Sequence, residues 1–70
     1  MMQTKQQETM YNAVFSEYPD VVTADELGEM LGISRASVYK MLKTNQIRSF
    51  RIGSGYKIPK LYVLQYLGMV

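Results

Sequence analysis

Seventy residues allow one domain at most, and a chain this short buries only about 60% of the surface its unfolded form exposes. It has no cysteine and no histidine, which excludes disulfides and thiolate chemistry and removes the commonest general base and metal ligand. The net charge of +2 conceals a split, with one base (Lys5) and all six acids in residues 1–33 against seven bases and no acid in residues 34–70, so the halves carry −5 and +7.

A half-chain without a carboxylate predicts a polyanionic partner, because ordinary surfaces intersperse both signs. The seven bases are Arg35, Lys40, Lys43, Arg48, Arg51, Lys57 and Lys60. No apolar run approaches the roughly 20 residues of a membrane span, and the polar N-terminus has no hydrophobic signal core. A soluble, cytoplasmic protein without membrane, cofactor or metal is therefore expected. An enzyme is the least favoured class.

Residues 1–19 are expected to form an N-terminal extension, polar and frayed over 1–9. Tyr11, Val14, Phe15 and Tyr18 then stand at i, i+3, i+4 and i+7, one face of a short helix or turn that Pro19 stops. Such a face could pack on the domain, on a neighbouring copy or on another protein.

Residues 20–70 carry the folded domain. Thr23 and Glu26 have capping-box spacing, and Leu27, Met30 and Leu31 form the buried stripe of the helix they open. Gly32 can end that helix in the left-handed conformation. Ser34 caps a second helix, about Arg35 to Thr44, with Val38, Met41 and Leu42 inward and Asn45 as its left-handed exit. Two helices across so short a glycine-containing turn form a helix-turn-helix.

Phe50 and Ile52 alternate with Arg51, and Tyr56 and Ile58 alternate with Lys57, around Gly53-Ser54-Gly55. This predicts a hairpin with a three-residue loop, placing Arg51 and Lys57 on the face opposite Phe50, Ile52 and Ile58. Pro59 suits the first position of a closing helix. Leu61, Val63, Leu64 and Leu67 would complete the core, and Gly68 would end the helix. The fold class is mostly α with a small β-hairpin.

With Val38, Met41 and Leu42 buried, Arg35, Ser37, Lys40 and Lys43, together with Ala36 and Tyr39, lie on or near the outer face of the second helix. Arg and Lys neutralise phosphate or reach guanine edges, and a small Ala lets a helix approach a groove. The free amides from Ser34 to Ser37 favour an anion. Ser34 is first a helix cap. Tyr39 fits the core as well as it fits DNA, and Lys43 could be a solvated lysine. Arg51, Ser54, Gly55, Tyr56 and Lys57 form a ribbon able to lie along a backbone or enter a minor groove; an ordinary surface hairpin explains them equally well alone. Arg48 completes the candidate DNA-binding set. The six methionines fit gap-filling, and Asp25, Glu26 and Glu29 fit helix-start electrostatics.

Val22-Thr23-Ala24-Asp25-Glu26-Leu27, Leu31-Gly32-Ile33-Ser34-Arg35-Ala36-Ser37-Val38-Tyr39, Phe50-Arg51-Ile52-Gly53 and Tyr56-Lys57-Ile58-Pro59-Lys60 occur in that order. In this order the stretch from about Asp20 to Gly68 resembles the excisionase-type, MerR-like winged helix-turn-helix family. It departs at Asn45, where many relatives have Gly, and near Arg48, where they have Pro. The resemblance implies a recognition helix from Ser34 to Lys43 in the major groove, with the wing from Arg51 to Lys57 on the adjacent minor groove or backbone. It also implies an excisionase, a recombination directionality factor that bends attachment-site DNA and helps a tyrosine recombinase (integrase) excise a phage or other mobile element. Cooperative self-association on double-stranded DNA and nucleoid association would accompany that role. Relatives also act as small transcriptional regulators. Against these stand a protein-interaction adaptor using the 10–18 face and, less favoured for want of an aromatic platform, RNA binding.

Overall fold

The computed structural model describes residues 13–69. Its elements run β1 (Val21–Thr23), α1 (Ala24–Leu31), α2 (Arg35–Lys43), β2 (Phe50–Ile52), β3 (Gly55–Pro59) and α3 (Lys60–Tyr66). The expected fraying of residues 1–9 and the Tyr11 end of the first apolar face lie outside the described residues.

Local chemistry sets the helix ends. Thr23 Oγ1 accepts from the Glu26 amide at 3.1 Å, and Glu26 Oε1 accepts from the Thr23 amide at 2.9 Å, completing the capping box of α1. Gly32, at φ 68°, ends α1 in the left-handed region. Ser34 Oγ accepts from the Ser37 amide at 3.2 Å and caps α2. Asn45 provides the left-handed exit at φ 57°. Leu27, Val38, Met41 and Leu42 are buried as the stripes predict, while Met30 and Leu31 are only half-buried. At the crossing of α1 and α2, a Cβ on Gly28 would stand 3.2 Å from Val38 Cγ2 and 3.3 Å from the Ile33 carbonyl oxygen. The absent side chain lets the helices approach this closely.

The sheet has the order β1-β3-β2 and is antiparallel throughout. Strand β1 is an addition to the expected hairpin. Val22 stands opposite Ile58, and both are fully buried beneath α1 and α3 with Val63 and Leu64.

The hairpin differs from the sequence expectation in register. Ile52 stands opposite Gly55, so the turn is Gly53-Ser54 and Gly55 belongs to the strand. Of the two turn residues only Gly53 has positive φ, 65°, the pattern of a type II′ turn. Removing one residue from the loop changes every cross-strand partner. Arg51 faces Tyr56, not Lys57, and Lys57 faces Phe50. Directly opposed residues share a face. Arg51 therefore lies on the same side as Tyr56 and Ile58, while Lys57 shares the outer side with Phe50 and Ile52. Those two apolar side chains are 53% and 64% exposed, not part of the core.

Pro59 is the last residue of β3 and the N-cap of α3, one position before the expected first helical turn. Val63 and Leu64 are fully buried, but Leu61 and Leu67 are exposed. Gly68 takes φ 74° beyond the helix end.

Lys60 is the largest departure from the expected basic surface. It is only 4% exposed, and its Nζ donates to the carbonyls of Phe15 at 3.3 Å and Tyr18 at 3.2 Å. Phe15 and Tyr18 pack against the core, their rings edge to face at 6.0 Å. Phe15 holds a left-handed φ of 57°, a conformation that persists in a bulky residue only when its surroundings fix it. Lys60 and the turn bond from the Tyr18 amide to the Phe15 carbonyl, 3.0 Å, supply that fixing. No helix among the described residues is long and apolar enough to cross a membrane.

Candidate nucleic-acid interface

Helix α2 turns its buried stripe toward α1 and the sheet, which fixes what points away. Ala36, Lys40 and Lys43, at i, i+4 and i+7, form an exposed ridge opposite that stripe. Ser37 lies on one flank, exposed, its hydroxyl 3.1 Å from that of Ser34. Arg35 and Tyr39, one turn apart, occupy the other flank.

Tyr39 is half-buried against the core and meets the Tyr56 ring edge to face at 5.8 Å. Tyr56 in turn carries Arg51, whose guanidinium carbon sits 4.8 Å from the ring centroid, with a long 3.4 Å contact from Nη1 to the phenol oxygen. This stack joins helix to wing. An aromatic pair contributes about 0.5–1.5 kcal/mol beyond its buried area, and an exposed cation over a ring about 0.5–1 kcal/mol. Together they orient Arg51 toward the α2 side of the molecule. Both tyrosines pack against the core and against each other.

Arg35 has a partner that sequence reasoning missed. It forms a two-pronged ion pair with Asp25 of α1, with Nη2 at 2.9 Å from Oδ1 and 3.0 Å from Oδ2, and Nε at 3.2 Å from Oδ1. Both side chains are well exposed, 71% and 62%, so the pair adds only about 0–1 kcal/mol to stability. Ten residues separate them, and only the angle between α1 and α2 brings them together. No spacing rule along a single helix would have shown it.

The remaining candidates divide. Ser54 is exposed at the turn and Gly55 half-exposed beside it; a Cβ on Gly55 would meet nothing within 4 Å. Lys57 lies across the sheet from Arg51. Arg48 stands apart from α2, its guanidinium 5.4 Å over the Tyr62 ring, which also contacts Phe50 at 6.3 Å. The structure thus brings together Ser34, Arg35, Ala36, Ser37, Tyr39, Lys40 and Lys43 on α2 with Arg51 and Tyr56 of the wing. It does not bring Arg48 or Lys57 onto that face. Lys60 is buried and offers no contact at the surface.

Two helices crossing at a short glycine turn, followed by a two-stranded wing on a three-stranded sheet, define a small winged helix-turn-helix domain. A family model described as helix-turn-helix domain matches residues 21–68, and the chain belongs to that family. No curated protein and no solved structure matches it. Membership points to DNA binding.

Proposed function

We propose that the protein is a non-enzymatic, sequence-specific binder of double-stranded DNA that acts as an excisionase. In this reading α2 enters the major groove by its Ala36–Lys40–Lys43 ridge, and Arg51 reaches the neighbouring backbone or minor groove. The observation that carries the reading is the Arg51–Tyr56–Tyr39 stack. It ties the wing's cation to the flank of the basic helix, so that one rigid surface offers both. The resemblance of the Val22–Leu27, Leu31–Tyr39 and Tyr56–Lys60 segments to excisionase-type proteins supports the finer role. That role is bending attachment-site DNA, with further copies bound alongside, so that a tyrosine recombinase removes a mobile element. Such a protein would work in the cytoplasm, on the nucleoid.

The test is a gel-shift titration at two salt concentrations on attachment-site and promoter duplexes. About four phosphate contacts predict a log–log salt slope near −4. A flat slope would remove DNA as the ligand. Tighter binding to promoter DNA, with no effect on recombinase-driven excision, would replace the excisionase role by that of a transcriptional regulator.

A further inference from the structure

Asp25 presents a puzzle. It is a well-exposed carboxylate beside the first residue of the helix proposed to meet a polyanion, and it holds that residue, Arg35, by three short contacts. A guanidinium has two forked edges. Asp25 takes the edge formed by Nε and Nη2. No other contact holds the Nη1 end among the described residues.

We propose that Asp25 is a positioning residue that makes Arg35 a reader of a base edge in place of a phosphate clamp; the proposal rests on the DNA-binding reading of α2. A lone arginine at a helix start is free to swing to the nearest phosphate. Arg35 gripped along its side edge is biased toward one direction, and its remaining end matches the paired acceptors O6 and N7 of guanine. The surroundings favour a base over a phosphate as well. Asp25 and Glu29 line the same groove between α1 and α2 as Arg35. A phosphate there would face two carboxylates, whereas a neutral base edge would not. The preferred ligand of this corner is therefore a guanine in the major groove.

The experiment is selection of the full chain on a randomised duplex pool, read by sequencing, with wild type, Arg35→Ala, Asp25→Asn, Asp25→Ala, Asp25→Glu and the Arg35→Ala/Asp25→Ala pair. Wild type should enrich a motif with guanine at one position, and Arg35→Ala should lose that preference. Asp25→Asn and Asp25→Ala should weaken the same preference roughly tenfold, and at that position only, while binding an arbitrary duplex slightly more tightly and losing no more stability than an exposed ion pair and a charge at a helix start contribute. Asp25→Glu should restore part of it. The double variant should lose no more at that position than Arg35→Ala alone. If the Asp25 variants keep the guanine preference and simply bind every sequence more tightly, Asp25 is a neighbouring charge and the proposal is wrong. Salt-dependent binding without any enriched guanine that depends on Arg35 also overturns it, yet leaves DNA binding intact. Absence of binding to the pool even at low salt would instead defeat the DNA-binding reading itself.

Discussion

The α1–α2 pair and the β2–β3 wing are held by different forces. The helix pair is fixed from within. Leu27 and Val38 are sealed in the core, Gly28 admits close contact, and both N-termini are capped by their own side chains. No residue of the wing from Phe50 to Lys57 is fully buried. It is fixed from its edges, by the β3 ladder, by Tyr56 against Tyr39 and by Phe50 against Tyr62. The difference separates two tasks. Substitutions in the helix pair act on whether the domain exists, and substitutions in the wing act on what it grips.

That separation can be broken at several points. Leu27→Ala should lose about 3 kcal/mol of unfolding free energy, read by chemical denaturation; a loss under about 1 kcal/mol would mean the core does not depend on α1. Gly28→Val should cost about 2 kcal/mol by forcing α1 and α2 apart, with a lower melting midpoint as the readout. Arg51→Ala should lower stability only by what an exposed cation over a ring contributes, about 0.5–1 kcal/mol, and weaken duplex binding with a shallower salt slope. Weaker stability with an unchanged salt slope would show that the wing is structural after all. The smallest effect concerns alkaline pH. Partial burial, and then the Glu29 carboxylate beside it, raise the pKa of the Tyr18 phenol above its ordinary value of 10.0. The folded chain holds that proton more tightly than the unfolded chain does. Stability is unaffected below pH 10 and falls as pH climbs above it. Tyr18→Phe should flatten this part of the pH profile in thermal melts.

Much of the helix pair was legible in sequence because its signals are local. Thr23 with Glu26, Gly32, Ser34 and Asn45 each act on neighbours a few residues away. The wing was legible as a hairpin but not in register. Alternation says that two faces differ, not which one is inward, and a single residue assigned to the loop or to the strand exchanges them. Counting Gly55 with the loop pairs Arg51 with Lys57; counting it with β3 pairs Arg51 with Tyr56, as observed. The Arg35–Asp25 pair was hidden for another reason, since it depends on the angle between two helices. Lys60 was hidden because a lysine is ordinarily solvated, and its partners are backbone carbonyls 42 and 45 positions upstream that carry no side-chain signature.

The enclosure of Lys60 also makes the molecule its own reference for chemical footprinting. An amine-acylating reagent should tag Lys40 and Lys43 in the free protein and spare Lys60. Occupation of α2 by a duplex would silence the first two and leave the third as it was. Heating until Lys60 becomes labelled would report the moment at which the Phe15–Tyr18 segment lifts from the core.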